Sequence, residues 1–344
     1  MIKIKQNTFF GISLLLLSCQ IEGMELYVAT DGSDSNTGTI DAPFATIIHA
    51  RNTVRKKIAD SYQGNITVSL RGGVYRLEET LVFGLEDSAP EGYNVRYQAY
   101  QNEKPIITSG KLISGWEKLT SFSSELPIVA QGNVWVADIE SAKNWQFRTL
   151  FDGEKMLSRA RSAGFVPTME CPAPSLAHRW QEMNTLGFPE GKLRNWDNLE
   201  DVEIFIRPTH QWLVNYLPIE KVDEQNGIAT TSIPGTYRLC KVVKKDWDET
   251  CWVENVLEAL DKPGEWVLNS KTGKLYYWPE SGKPGDNISA PVVRELVLVE
   301  GKNVDVVEGD VPVRGLIFDG LTFTGGDRDV WTVEDRGIQH DWDM

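Results

Sequence analysis

The sequence ITVSLRGGVYRL at residues 66–77 decides the fold class. Apolar and polar residues alternate over 66–70, Gly72 and Gly73 interrupt the alternation, and it resumes at Val74. A period of two is the pattern of a strand with one buried face, and paired glycines favour a turn. The stretch therefore predicts two short β-strands joined by a tight turn, with no helix between them.

Further short strands of this kind are predicted on both sides of a different central region. They lie at residues 81–83, 95–100, 105–110, 296–299, 304–307 and 316–323. Short strands joined by turns instead of helical crossovers suit the rungs of a right-handed parallel β-helix. A β-sandwich gives similar strands, so the local pattern alone leaves both architectures open.

Residues 47–59 have a different period, which predicts a helix. Ile47, Val54 and Ile58 share one face, whereas Arg51 and Lys57 lie outside that face. An amphipathic helix at this place is expected to cap the first rung, because an open rung would expose core and strand edges.

The middle of the chain is rich in hairpin signals. Asp152-Gly153 is a strong turn between two short strands, and residues 264–268 and 274–278 predict another antiparallel pair. We therefore expect an all-β chain. Its predicted segments are a cap and first β-helix rungs at 24–115, an inserted antiparallel β-sandwich-like domain at 116–289, and resumed, incomplete rungs at 290–344.

Residues 1–23 are expected to be a lipoprotein signal peptide and anchor region. Lys3 and Lys5 precede a run of about nine mostly apolar residues, too short to span a bilayer, which needs about 20. Cys19 follows in a lipobox, so we expect its lipidation and a location in the cell envelope, lipid-anchored to the outer membrane or secreted. Cleavage just beyond Cys19 without lipidation is the alternative.

The formal net charge is −14, from 49 acidic and 35 basic side chains. Such a surface repels nucleic acid, which is excluded as a partner, and an acidic glycan would need a local basic patch. Twelve tryptophans are many for a chain of 344 residues. Indole rings stack on sugars, although most of these tryptophans are expected in the core.

The cysteines and histidines give no metal or cofactor pattern, and no cofactor is expected. Cys171, Cys240 and Cys251 follow Cys19, and none of them has C-x-x-C spacing. In an oxidising compartment a Cys240–Cys251 disulfide is one possibility, and free buried thiols are the other.

Several motifs together resemble a known family. They are DGSD at 31–34, LRGGVY at 70–75, LFDGE at 150–154, VEN at 253–255, FTGGD at 323–327 and QHDW at 339–342. The whole chain resembles the N-terminal half of secreted right-handed parallel β-helix proteins of glycoside hydrolase family 141, and family 120 is similar in plan. The resemblance implies a β-helix interrupted by a β-sandwich-like insert. It also implies catalytic carboxylates on rungs beyond residue 344, so no catalytic pair is assigned and this chain alone is expected to be inactive.

An acidic and aromatic stretch near the C-terminus is the candidate substrate-binding region. Acids, a histidine and aromatic rings on a loop leaving a rung are suitable for a sugar subsite. The candidate residues are Asp327, Trp331, His340, Asp341 and Trp342. A solvated loop on an acidic protein is the alternative interpretation.

The parent protein is therefore expected to act on a polysaccharide or oligosaccharide. A glycoside hydrolase of complex plant or algal glycans is the first hypothesis. A polysaccharide lyase, which would need a basic residue near uronates and usually calcium, is the second. A glycan-binding surface protein without activity is the third.

Overall fold

The computed structural model of the chain describes residues 23–139, 145–170, 183–207, 214–241, 250–302 and 309–329. Over these residues the chain is all-β, as predicted, with a single α-helix, α1 (Ile47–Ala59). Short 3-10 helices lie at Leu85–Asp87, Ile128–Ala130, Leu199–Asp201 and Leu257–Ala259.

The first eleven strands, in chain order, are β1 (Met24–Val28), β2 (Ile66–Leu70), β3 (Gly73–Arg76), β4 (Leu81–Phe83), β5 (Val95–Ala99), β6 (Pro105–Thr108), β7 (Gly110–Leu112), β8 (Glu117–Lys118), β9 (Trp135–Asp138), β10 (Phe151–Asp152) and β11 (Lys155–Met156). The later strands are β12 (Ser158–Arg159), β13 (Thr185–Gly187), β14 (Glu203–Ile206), β15 (Asn215–Asp223), β16 (Ile228–Thr231), β17 (Cys251–Glu254), β18 (Glu265–Asn269), β19 (Lys274–Tyr277), β20 (Ile288–Pro291), β21 (Val297–Val299), β22 (Leu316–Asp319) and β23 (Thr322–Thr324).

The chain divides into two compact units. The first comprises Met1–Gly73, Phe83–Lys104 and Val299–Leu321, and the second comprises Val74–Val82, Pro105–Leu298 and Thr322–Met344. The domain boundaries predicted from the sequence stay a prediction.

The first unit contains a four-stranded sheet of parallel strands in the order β1-β2-β5-β22. Ile66 pairs with Met24 on one side and with Val95 on the other, and Leu316 pairs with Val95. Ile66, with its side chain buried, begins the predicted strand 66–70. Segments far apart in sequence therefore share one sheet, as the repeated strand pattern predicted.

The predicted helix is present in the first unit with the bounds expected from the sequence. Its first turn is capped by Thr46, whose Oγ1 accepts a hydrogen bond of 3.1 Å from the His49 N–H. Val54 is buried on its inner face. Arg55 donates to both carboxylate oxygens of Asp87, at 2.9 and 2.7 Å, and this ties the helix to the following 3-10 turn.

The second unit contains mixed and antiparallel sheets. A five-stranded antiparallel sheet has the order β13-β16-β15-β14-β17, a second five-stranded sheet has the order β12-β18-β19-β9-β8, and a four-stranded sheet has the order β11-β10-β20-β7. The predicted hairpins are confirmed as β10–β11, where Gly153 has φ +60°, and as β18–β19. In this unit β23 also pairs in parallel with β6.

The possible Cys240–Cys251 disulfide is wrong. Cys251 is a free, fully buried thiol on β17, and burial raises the pKa of that thiol. Its side chain lies in the core with Ile204 and Val253. Because alternate residues of a strand face opposite sides, the Cys251 side chain points into this apolar core. It therefore forms no disulfide with Cys240.

The N-terminal predictions concern residues 1–23, of which 1–22, including Cys19, lie outside the described residues. Within the part of the chain that the structure describes, no helix is both long enough and apolar enough to cross a membrane.

Candidate functional site

The candidate site is built on one face of the sheet that contains β14. Ile204 and Ile206 of this strand are fully buried in the apolar core. Because successive side chains of a strand point to opposite faces, Glu203 and Phe205 lie on the other face. The sequence EIFI therefore places one carboxylate and one aromatic ring on the face away from the core.

A row of three aromatic rings crosses this face. Phe205 pairs in register with Tyr216 of β15 and with Trp252 of β17. The Phe205 and Trp252 rings are stacked, with centroids 3.6 Å apart, and Phe205 meets Tyr216 edge to face at 5.2 Å. A guanidinium lies over each end of the row, Arg161 at 5.0 Å from the Trp252 centroid and Arg328 at 4.4 Å from that of Tyr216.

Beside this row, Glu203 is a buried carboxylate surrounded by three arginines. Its side chain is only 3 % exposed. It accepts hydrogen bonds from Arg148 Nε at 3.2 Å and from Arg328 Nη2 at 2.5 Å, and it is also in contact with Arg159 Nη1.

The arginines decide the ionisation of Glu203. Burial alone would raise the pKa of its carboxyl group, but the charges of Arg159, Arg328 and Arg148 outweigh burial and lower the pKa to about 2. The carboxylate therefore stays charged at neutral and mildly acidic pH, and its charge is offset by its neighbours.

These arginines form part of the wall of a pocket of about 780 Å³ in the second unit. The charged lining residues are the cationic Arg148, Arg159, Arg161, Lys262 and Arg328 and the carboxylates Glu254, Glu265 and Asp327. Cations outnumber acids here, although the whole chain carries a net charge of −14. The pocket is therefore a local basic patch on an acidic protein.

The structure places one of the predicted substrate-binding residues at this pocket. Asp327 Oδ1 accepts hydrogen bonds from the Arg148 N–H at 2.9 Å and from Thr149 Oγ1 at 3.0 Å. The Asp327 N–H donates to the Val293 carbonyl at 3.1 Å. The carboxylate and the main-chain N–H of Asp327 are both hydrogen-bonded, so the position of the carboxylate in the pocket wall is fixed.

The other predicted substrate-binding residues, Trp331, His340, Asp341 and Trp342, lie outside the described residues.

Glu265 is a second largely buried carboxyl group of the pocket. Its Oε2 accepts backbone hydrogen bonds from Asp261 and Lys262, both at 3.1 Å. Burial raises the pKa of this carboxyl group despite those bonds. Its geometry is that of a side chain that closes the turn before β18.

Glu254 contributes the third carboxylate of the wall. Its Oε1 accepts a 3.0 Å hydrogen bond from Trp252 Nε1, so the ring that ends the aromatic row also orients this acid.

Sequence reasoning did not identify the arginine cluster or Glu203. Glu254 belongs to the VEN motif, which carries part of the family resemblance, but the motif gave it no role. One signal was available in VEIFI at 202–206, where an acid stands inside an otherwise apolar strand. A buried acid at such a place requires a cationic partner.

Comparison with known families concerns the part of the chain that carries this pocket. A family model described as the GH141 insertion domain matches residues 132–280. β14, β15 and β17, the strands of the aromatic row, all fall inside this range. Residues 132–280 are thus similar to a GH141 insertion domain, and the predicted resemblance to glycoside hydrolase family 141 is confirmed.

A solved structure described as a glycoside hydrolase has a similar fold, with a TM-score of 0.64 and 23% sequence identity. The alignment covers 89% of this chain and 51% of that one. The chain therefore spans about half the length of this solved relative.

Two curated proteins are similar over shorter stretches. The uncharacterized protein YwoF of Bacillus subtilis (strain 168) is 34% identical over 95 residues, which are 28% of this chain and 18% of YwoF. Pectate lyase PEL9 of Emericella nidulans is 30% identical over 126 residues, which are 37% of this chain and 27% of PEL9.

Proposed function

We propose that this chain belongs to a glycoside hydrolase of complex plant or algal polysaccharides, and that its basic pocket binds an acidic sugar unit of the substrate. The GH141 insertion domain and the glycoside hydrolase fold support the first part. The observation that carries the second part is the excess of cationic side chains in one pocket of a strongly acidic protein.

Two cations of the pocket are the best placed to meet such a ligand. Glu203 offsets the charges of Arg148, Arg159 and Arg328, but it makes no such contact with Arg161 or Lys262. A guanidinium matches a carboxylate in geometry and can form two parallel hydrogen bonds with it. Arg161 is also held over the Trp252 ring. Its side chain is therefore already restricted before binding, and it loses less conformational entropy when a ligand binds.

The similarity to a pectate lyase is consistent with an acidic ligand. Pectate is a polymer of uronic acid units, and a carboxylate on every unit would meet a basic pocket favourably. The alignment covers 27% of that lyase, so it supports a related ligand class and not the same reaction.

We further propose that the parallel strands form rungs of a right-handed β-helix. In the first unit β1, β2, β5 and β22 run parallel in continuous register, and in the second unit β23 runs parallel to β6. Stacking of consecutive turns of a β-helix produces this kind of pairing.

Two proposals concern the ends of the chain. The lipobox supports lipidation of Cys19 and attachment to the outer membrane. Labelling with a clickable palmitate should be lost in Cys19→Ser and should be unchanged in the control Cys251→Ser.

Trp331, His340, Asp341 and Trp342 follow Asp327 in sequence, so we propose that they extend the sugar site beyond the pocket.

Binding of defined oligosaccharides tests the proposal. Titration calorimetry should detect binding of trigalacturonate but not of neutral xylotriose, and the affinity should fall with added salt. Arg161→Met and Lys262→Met should each weaken binding about tenfold. The exposed Lys283, outside the pocket lining, provides the matched control Lys283→Met. Equal binding of both sugars, or an equal loss in all three variants, would refute an acidic-sugar site.

A polysaccharide lyase is the second candidate, because a basic pocket and a pectate lyase relative both favour it. Product analysis separates the two reactions. A lyase generates an unsaturated uronate that absorbs ultraviolet light, whereas a hydrolase generates reducing ends without that absorbance.

A further inference from the structure

We propose that Glu203 is the positioning residue of the pocket, and that it holds residues 326–329 against the insertion domain so that Asp327 and Arg328 face the ligand. The consequence for ligand binding rests on the proposed function, whereas the positioning itself does not. Glu203 acts through its arginine neighbours and has no assigned contact with substrate.

The first step is the anchoring of Arg328 by two strands. Its Nη2 donates a 2.5 Å hydrogen bond to Glu203 Oε2 on β14, and its guanidinium lies 4.4 Å from the Tyr216 ring centroid on β15. The hydrogen bond fixes direction and the ring fixes the plane of the guanidinium. These two contacts hold the segment that follows β23 against the sheet that contains β14 and β15.

The second step is a closed circuit of contacts. Arg148 donates from its side-chain Nε to Glu203 and from its main-chain N–H to Asp327 Oδ1. Asp327 is joined by a peptide bond to Arg328, which returns to Glu203. Each of these four residues is therefore held by two others, and the loss of Glu203 opens the circuit at two places.

The third step is charge balance. Without an anion in the centre, Arg148, Arg159 and Arg328 would be three like charges sharing a partly dry site, which is costly. Arg328 should move away first, because its side chain is 25 % exposed whereas that of Arg159 is 9 % exposed. Replacement of Glu203 by glutamine keeps the shape and removes only the charge.

Amide hydrogen exchange of peptides covering residues 322–329 tests the inference without any ligand. In Glu203→Gln and in Arg328→Met, exchange there should accelerate about tenfold or more, while peptides from β18 and β19 stay protected. The double variant should exchange no faster than Glu203→Gln alone, because both changes break the same contact. Arg328→Lys, which keeps the charge, should recover part of the protection.

Glu280→Gln is the matched control. Glu280 Oε2 accepts a 2.7 Å hydrogen bond from Lys155 Nζ, but both side chains are well exposed and neither lines the pocket. This variant should leave exchange at 322–329 unchanged. Wild-type exchange at 322–329 in Glu203→Gln would overturn the inference. If that variant fails to fold, Arg328→Met decides, because it leaves Glu203 paired with Arg148 and Arg159.

A trigalacturonate titration of the same variants separates this inference from the proposed function. Binding about tenfold weaker in Glu203→Gln and Arg328→Met, with faster exchange, supports both. If the wild-type chain binds no acidic sugar, the proposed function fails while the exchange data still decide the role of Glu203. Unchanged binding with faster exchange would show that the segment is positioned but not used for this ligand.

Discussion

Glu203 and Glu254 lie directly opposite each other on the antiparallel strands β14 and β17. Like charges in directly opposed positions destabilise a sheet unless a cation is placed near both. Arg159 is that cation, because its Nη1 contacts Glu203 and lies 3.9 Å from Glu254 Oε2. Arg159 is therefore the buried cation that the two opposed acids share, while Arg148 and Arg328 contact Glu203 as well.

Removal of this arginine should be strongly destabilising. We expect Arg159→Met to lower the free energy of unfolding by about 3–5 kcal/mol, because it leaves a buried carboxylate without its principal partner. Urea denaturation followed by tryptophan fluorescence measures the change. Lys155→Met, which removes the exposed Lys155–Glu280 pair, is the control and should cost less than about 1 kcal/mol. Equal urea midpoints for the two variants would contradict the assigned role.

The lowered pKa of Glu203 predicts a dependence of stability on acid. The arginines depress this pKa from the ordinary 4.5 to about 2 in the folded state. Stability from this group is therefore fully present above pH 4.5 and is lost as the pH falls toward 2. Urea midpoints measured from pH 7 to pH 3 should fall less steeply for Glu203→Gln than for the wild-type chain. Parallel curves over that range would show that Glu203 is not the group responsible.

Glu265 should behave in the opposite way. Burial raises the pKa of its carboxyl group, so the folded state holds this proton to a higher pH than the unfolded state. Its contribution to stability is therefore fully present below the pKa of the unfolded state and is lost as the pH rises through the higher pKa of the folded state. Glu265→Gln should match or exceed wild-type stability at pH 7, because the amide oxygen can still accept from Asp261 and Lys262. A large loss of stability at pH 7 would show instead that the charge is needed.

Local sequence patterns were sufficient to predict the elements that depend on near neighbours. The alternation at 66–70 gave β2, the spacing of Ile47 and Val54 gave α1, and Asp152-Gly153 gave the β10–β11 hairpin. Each of these depends on residues within a few positions of one another, where period and turn chemistry decide the backbone.

The pocket could not be predicted in the same way, because its members come from distant parts of the chain. Glu203 meets Arg148, Arg159 and Arg328, and only the sheet register brings them together. Asp327 was a candidate because acids are clustered in this part of the sequence, and its role in substrate binding stays a prediction. Its actual partner, the Arg148 main chain, left no trace in that pattern.

Asn255 is the last residue of the VEN motif and directly follows the pocket acid Glu254. It is fully buried and has φ +68°, a left-handed conformation that side chains rarely adopt. Its Nδ2 donates to the Leu268 carbonyl at 2.7 Å, and its Oδ1 accepts from the Leu268 N–H at 2.8 Å. The side chain thus acts as a strand partner for β18, which begins with the pocket residue Glu265.

Two substitutions of Asn255 separate its backbone role from its hydrogen bonds. Asn255→Ala loses these two bonds and a third, from Nδ2 to the Asp201 carbonyl at 3.2 Å. It also keeps the unfavourable φ, so we expect the free energy of unfolding to fall by about 3 kcal/mol or more. Asn255→Gly loses the same bonds but adopts this φ freely, so its loss should be smaller by about 1 kcal/mol. Urea denaturation of the two variants beside the wild-type chain gives the order. If alanine is tolerated as well as glycine, backbone conformation is not the reason for asparagine at this position.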